Sequence, residues 1–369
     1  NFIIPNREDW EATKGTIVTK AVIKGKKYKG AVVIDPISGI HFNVKVLDFA
    51  SLYPSILKIK NLGYATIRCE HESCKSNIIP DTNHYVCIKN KAIEADIIGL
   101  LRDLRIRHYK DLGKKDSFYN VVEQAVKVIL NASYGVFGDE DFDLYCPPVA
   151  ESITAVGRHS IMETIKKAKE MGIEILYGDT DSIFLKNPTD SQINELTKWS
   201  SQILGLDLEA DKEYRYVCLS SRKKNYLGVS PTGEIDIKGM TGKKKHIPII
   251  IKGVFNVATK YLENAKTEAE VNACKKALAK TIKDIYLRIK CRKFDLEEMA
   301  FYIVLGENPD SYYKTMPQHV KAAKMLEEET GIQLKKGDSV AFVKCVKKNV
   351  KPLQLAKIED CLLYTSPSP

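Results

Sequence analysis

Two short apolar runs, 173–177 and 182–185, flank Gly178-Asp179-Thr180-Asp181, and no other pattern constrains this chain so strongly. Apolar runs of strand length on either side of a short polar turn predict an antiparallel hairpin with its carboxylates at the tip. A second acid, Asp48, closes the alternating run 44–47 and precedes Phe49-Ala50-Ser51-Leu52-Tyr53-Pro54. A carboxylate at the end of a buried strand is costly unless it is paired, hydrogen-bonded or held to a cation. Two that converge repel one another, and a divalent cation is the usual remedy. Taken singly, each acid also fits a turn cap, an ordinary place for Asp.

The rest of the chain supplies a setting for these acids. Residues 15–60 alternate β-rich runs, 17–23, 30–34 and 43–49, with turn signals at Asp35-Pro36 and Ser38-Gly39, and they read as strands of one sheet. Helical periodicity takes over at 92–109 and 117–134, joined by the polar turn Gly113-Lys114-Lys115-Asp116, which predicts a helical hairpin. Further helices are expected at 151–171 and 191–204, with β-rich segments at 214–219 and 234–238. Beyond about residue 250 long amphipathic helices dominate, at 267–290 and 319–330, before a β-like run at 339–346. No repeat of 20 to 50 residues is present.

Geometry alone gives the second helix of the hairpin a chemical face. At about 100° per residue Gln124, Lys127, Asn131 and Tyr134 fall within an arc of about 80°. Val122, Ala125, Val126, Val128 and Ile129 occupy the other side. A stripe bearing Lys and Asn suits a triphosphate, with Lys127 as a point charge and a proton donor to departing pyrophosphate; it also suits a solvated polar face.

Composition narrows the partners. The 369 residues carry a formal charge of +10, with basic clusters at 24–29, 102–115, 222–224, 238–245 and 335–351, so several segments can face one polyanion, duplex nucleic acid being the natural candidate. Nine scattered cysteines without an export signal predict thiols in a reducing compartment. With neither a run of about 18 apolar residues nor a secretory leader, the expectation is a soluble, cytoplasmic protein with no membrane partner. The opening on Asn1 and the Pro/Ser-rich close at 364–369 suggest a fragment.

Taken together, the motifs resemble those of family B DNA polymerases. Asp48-Phe-Ala-Ser-Leu-Tyr-Pro-Ser-Ile56 resembles motif A, Lys127-Val-Ile-Leu-Asn-Ala-Ser-Tyr-Gly135 motif B and Tyr177-Gly-Asp-Thr-Asp-Ser182 motif C, in the family's order. Tyr28-Lys-Gly30 is similar to the family's short motif between nuclease and polymerase regions, and Lys223-Lys-Asn-Tyr226 with Lys238-Gly239 to its duplex-contacting segment. Pro317-Gln-His-Val320 and Gly337-Asp-Ser-Val-Ala-Phe342 resemble its thumb, and the wording around 68–87 and 130–134 is most like archaeal members.

The resemblance implies an α/β (α+β) right-hand architecture. A palm with a mixed or antiparallel sheet would occupy 1–91 and 136–250, helical-hairpin fingers 92–135, and a mostly helical, incomplete thumb 251–369, with a foreign or disordered tail at 361–369. It implies a template-directed DNA polymerase that uses two Mg²⁺ ions, with Asp48, Asp181 and the Phe49 carbonyl as metal ligands and Asp179 as a secondary acid. Ser51 and Leu52 amides would meet the triphosphate, together with Lys127, Asn131, Tyr134 and Arg105, the last chosen ahead of Arg102 and Lys110. Tyr53 would exclude a 2′-hydroxyl. Thr180, Lys223, Lys224, Tyr226, Lys238, Gly239 and His319 would contact primer–template DNA, His319 otherwise packing locally. The partners implied are DNA, deoxynucleoside triphosphates, the missing N-terminal and exonuclease part and a sliding clamp; another palm polymerase such as a reverse transcriptase, or an inactive DNA-binding fragment needing its missing half, are the rivals.

Two features stand apart from that pattern. Ala132 replaces the family's usual serine in motif B. Cys69, His71, Cys74 and Cys87 form C-x-H-x₂-C-x₁₂-C, which reads either as a zinc site without standard finger spacing or as ordinary thiols in a surface insertion.

Overall fold

The computed structural model describes residues 28–313, 315–345 and 349–361. The strand expected at 17–23 and residues 362–369 of the tail expected at 361–369 lie outside the described residues, whereas Cys361 is buried and forms a β-bridge with Cys345 rather than belonging to a disordered tail. The chain forms two compact units, Asn1–Lys223 and Lys224–Pro369.

In the first unit β1 (Val33–Ile34), β2 (Gly39–Phe49), β3 (Glu174–Asp179), β4 (Ser182–Lys186) and β5 (Leu208–Leu219) pair antiparallel in the order β1-β3-β4-β2-β5. The β2–β5 ladder contains a bulge. Val44 and Val46 are buried on one face of β2 and Leu47 and Phe49 on the other; there Val46 pairs with Lys212 and Leu47 with Ala210, leaving Asp211 of β5 as the extra residue. A bulge of this kind re-aims the side chains beyond it. β5 starts at Leu208 rather than near 214, its acidic first half having hidden the strand pattern.

Helix α1 (Leu52–Ile59) follows β2 directly and buries Leu52, Ile56 and Leu57. It is too short for a helical period to declare itself in the sequence. The expected hairpin is α2 (Ile93–Leu104), extended by a π turn over Arg105–Tyr109, and α3 (Ser117–Gly138), whose N-cap Asp116 accepts from the Phe118 amide at 2.7 Å. The buried stripe of α3 is Glu123, Leu130, Ser133 and Phe137. On the side opposite the polar stripe, Val128 is 67% exposed and Ile129 51%.

Helix α4 (Pro147–Glu170) begins with two prolines, where a missing N–H costs nothing, and is covered without interruption from Pro147 to Arg158. Its buried polar side chains act as fasteners. Thr154 Oγ1 and an Arg158 guanidinium N–H donate to the Lys29 carbonyl at 3.0 and 2.7 Å, and Glu151 meets His84 Nε2 at 2.6 Å with both side chains fully buried. Leu47, Phe49, Ile56, Leu57, Ile153 and Ile161 belong to the core beneath them. Each such burial contributes about 1.5–3 kcal/mol. Helix α5 (Asp190–Trp199) opens with a Thr189–Gln192 capping box and continues through a π turn to Leu204.

The second unit opens with the hairpin β6 (Tyr226–Val229) and β7 (Ile235–Lys238). Helices α6 (Ile249–Asn264) and α7 (Glu268–Lys290) follow, α7 started by a Thr267–Glu270 capping box. β8 (Phe301–Val304), β9 (Ser339–Lys344) and β10 (Val350–Pro352) form an antiparallel sheet in the order β10-β9-β8, against which α8 (Gln318–Thr330) buries Val320, Ala322 and Ala323. The carboxy-terminal region thus carries more sheet than its helical periodicity suggests.

Candidate active site

The ends of β2 and of the β3–β4 hairpin meet at one edge of the first sheet. Asp48 lies directly opposite Ser182, and the Phe49 amide donates to the Asp181 carbonyl at 2.9 Å. Asp179 ends β3, opposite Val33 on one side and Ser182 on the other. Thr180, at the tip, holds a left-handed φ of 54°, uncommon for a β-branched residue. Its amide donates to Val32 and its hydroxyl to the Asp179 carboxylate at 3.2 Å, which fixes the turn. Strained backbone of this sort persists where the surroundings over-determine it.

The electrostatics around Asp48 are unbalanced. Burial, then repulsion from Asp181, Asp211 and Glu209, pushes its carboxyl up to about 7, against the opposing charge of Lys110. Glu209 sits across from Asp48 in the β2–β5 ladder, and Asp211 is the bulge residue. Neither was among the residues singled out from sequence. The acidic alternation in Glu209-Ala-Asp211 was the available signal, but the pairing that aims it at Asp48 is not local. Crowded oxygen donors short of positive charge suit a hard divalent cation such as Mg²⁺.

Beyond Phe49 the chain turns through Ser51, whose φ of 51° and ψ of 60° start α1. Ser51, Leu52, Tyr53, Asn131, Tyr134, Thr180 and Asp181 line a cleft of about 260 Å³. The structure therefore brings motif-A, motif-B and motif-C residues to one cavity. Tyr53 lies against Tyr134 with ring centroids 4.7 Å apart, and burial raises the hydroxyl pKa of both. Tyr28 reaches the Tyr134 hydroxyl at 3.1 Å. A side chain at Gly138 would place its Cβ within 2.4 Å of the Tyr28 hydroxyl, and one at Gly157 within 3.3 Å of the Tyr53 ring, so both positions keep the tyrosines seated.

Lys127 is exposed on α3, one turn before Asn131. Arg105 is anchored: Nε donates to Glu123 at 2.8 Å and a terminal N–H to Ser51 Oγ at 2.8 Å. Arg102 donates to Ser55 Oγ at 3.0 Å and pairs with Asp207 and Asp103, while Lys110 pairs with Glu209. Arg105 is thus the arginine that touches the cleft wall. Lys223 donates to the Val33 carbonyl at 2.7 Å and pairs with Asp35.

The remaining residues expected to face DNA belong to the second unit. Lys224 has a φ of 59°, and a Cβ on Gly239 would fall 2.0 Å from the Lys224 carbonyl oxygen, so only glycine fits there. Tyr226 is buried opposite Lys238 in the hairpin. His319, at the start of α8, meets the Tyr312 ring edge-on at 6.5 Å, and burial lowers its pKa.

Comparison with known proteins agrees with the geometry. The family model for DNA polymerase family B matches residues 1–366. DNA polymerase 1 of Sulfolobus acidocaldarius is 46% identical over 98% of this chain and 42% of its own length, and DNA polymerase 1 of Aeropyrum pernix is 44% identical over 97% and 38%. The chain therefore spans about two-fifths of the length of such relatives. Among solved structures, the family B DNA polymerase of Pyrobaculum calidifontis has a TM-score of 0.67 at 28% identity, over 94% of this chain and 46% of that one. No helix among the described residues is long and apolar enough to cross a membrane. From its sequence motifs, its antiparallel sheet and this match, the chain belongs to DNA polymerase family B.

Proposed function

We propose that this chain carries the nucleotidyl-transfer site of a template-directed DNA polymerase. The observation that carries the reading is the meeting of Asp48, near the end of β2, with Asp181, in the turn of the adjoining β3–β4 hairpin, beside a cleft lined by Ser51, Tyr53 and Asn131. In the proposed reaction a primer 3′-hydroxyl attacks the α-phosphorus of a deoxynucleoside triphosphate, the P–O bond to the β-phosphate breaks, and pyrophosphate leaves.

Asp48, Asp181 and the Phe49 carbonyl would hold two Mg²⁺ ions, which when bound would lower the pKa of the attacking hydroxyl and neutralise the leaving pyrophosphate. Ser51 and Leu52 amides are suited to the triphosphate oxygens at the start of α1. Lys127 and Asn131 would reach it from α3, with Arg105 released from Glu123 or shared with it. Lys127 would give the departing pyrophosphate its proton. Tyr53, packed on Tyr134 and next to Gly157, would clash with a ribose 2′-hydroxyl.

In this reading the palm comprises 1–91 and 136–250, the fingers 92–135 and the thumb 251–369, with Thr180, Lys223, Lys224, Tyr226, Lys238, Gly239 and His319 facing primer–template DNA. Such contacts give affinity that weakens with salt and carries no sequence preference. Nuclease and sliding-clamp partners accompany the reading, as does a cytoplasmic location. The test is extension of a labelled primer on a defined template with dNTPs and Mg²⁺. Products that follow the template and vanish with EDTA are expected; a chain that binds the duplex but never extends it would overturn the reading.

A further inference from the structure

Four metal-ligand side chains converge away from the acids, in the segment between α1 and α2. The sulfurs of Cys69, Cys74 and Cys87 and an imidazole nitrogen of His71 all lie within 4.8 Å of one another. Cys74 Sγ is 4.0 Å from Cys87 Sγ, which is 3.4 Å from His71 Nδ1. The three thiols are buried together, while His71 is partly open to solvent.

Three explanations compete. A disulfide requires sulfurs about 2.0 Å apart, and pairing any two of three thiols leaves the third and the imidazole unexplained. The 4.0 Å separation is about twice that bond. Thiols packed merely as small apolar groups have no need of an imidazole in their midst. A tetrahedral zinc ion with arms of about 2.3 Å to sulfur sets its ligand atoms about 3.8 Å apart, close to the spacings present.

The backbone around the cluster favours the same answer. The Ile88 amide points at Cys74 Sγ at 3.4 Å and the Asn90 amide at Cys87 Sγ at 3.3 Å. Amides donating to sulfur stabilise thiolates, the form a metal requires, and thereby act as supports outside the ligands themselves. A 3₁₀ turn over Glu72–Cys74, closed by the Cys74 amide on the His71 carbonyl at 3.0 Å, presents His71 and Cys74 to the same side. Cys87 comes back beside them because its amide donates to Thr66 at 2.9 Å next to the Ile67–Val86 bridge.

We propose that Cys69, His71, Cys74 and Cys87 bind one Zn²⁺ as a closed, structural S₃N site. Four protein ligands leave no open position for substrate, so its role is to hold the chain rather than to react. What it holds is specific. Asn61, just after α1, donates its side-chain amide to the Cys87 and Asn90 carbonyls at 3.1 and 2.7 Å, and accepts from the Ala92 amide at 2.9 Å at the foot of α2. The metal would therefore fix the strap that links α1, which bears Tyr53, to α2, which leads into Arg105. This proposal is independent of the polymerase reading.

The test is metal analysis of the chain purified without chelator, together with reconstitution by Co²⁺ as a spectroscopic stand-in. About one Zn²⁺ per chain is expected, with intense visible d–d bands and near-ultraviolet sulfur-to-cobalt charge transfer on exchange. Cys74→Ser should abolish stoichiometric binding, while Cys291→Ser, at an exposed thiol elsewhere, should keep it. If Cys74→Ser does not fold, the Co²⁺ spectrum of the unaltered chain decides. A chain that takes up neither metal, or whose unreduced peptides show Cys69, Cys74 or Cys87 in a disulfide, overturns the proposal.

Discussion

Asp48 and Glu151 are carboxylates of the same unit, and their surroundings are opposite in kind. Glu151, fully buried on α4, has His84 at 2.6 Å. Asp48, at the cleft, has Asp181, Asp211 and Glu209 around it and Lys110 against them. A buried carboxylate paired within the chain is satisfied there, whereas one crowded by like charge calls for a cation from outside. The contrast distinguishes the two settings without reference to any relative.

The sharpest way to break the comparison is Asp181→Asn. If the acids gather cations for catalysis, primer extension should fall by about 10³–10⁵-fold, equivalent to about 4–7 kcal/mol of barrier, while the melting temperature is kept or rises. Near-normal extension would remove the role given to Asp181. The converse substitution, Glu151→Ala, should destabilise the fold by about 3–5 kcal/mol because it strands a buried partner. Urea denaturation would read that loss, and a change under 1 kcal/mol would place Glu151 among dispensable polar groups.

Tyr53 lies between these extremes, packed like a core residue yet lining the cleft. Tyr53→Ala should relax discrimination against ribonucleotides by about 10- to 100-fold, or about 1.4–2.8 kcal/mol, with deoxynucleotide addition much less affected. Equal losses for both sugars in steady-state incorporation would mark a purely structural tyrosine.

The smallest effect concerns pH. The Asp48 carboxyl titrates near 7 in the fold, above its ordinary 3.8, so folding favours the protonated acid. That contribution is full below about pH 4 and is lost as pH rises towards 7. In metal-free buffer Asp48→Asn should therefore be more stable than the parent at pH 8 by about 1–2 kcal/mol, after allowance for partial solvent screening. The gap should close near pH 4. A variant less stable than its parent at pH 8 would show that Asp48 is compensated in a way the crowding of acids does not suggest.

Much of this site was legible in the sequence because its signals are local. The acid-tipped hairpin, the strand before Asp48 and the helix bearing Lys127 and Asn131 each announce themselves by period and turn chemistry. What was hidden depends on pairing between distant segments. Glu209 and Asp211 acquire meaning only through the β2–β5 register and its bulge. The ties of Arg105 to Glu123 and Ser51 join three elements, and the cysteines gather through a loop with little regular structure. The face of α3 that packs is a narrow mixed stripe containing Glu123 and Ser133, which hydrophobic periodicity does not mark.

The rooting of α3 has a mechanical consequence. Phe137 sits in the core and Tyr134 is tied to Tyr28, while Phe118 and Val121 at the opposite end face outward. At about 1.5 Å per residue, Lys127 is about 15 Å from that root and Ser117 about 30 Å. Any pivot there carries Ser117 about twice as far as Lys127. The position of the lysine would accordingly be set at that root, where one added methyl on Gly138 would crowd the Tyr28 hydroxyl.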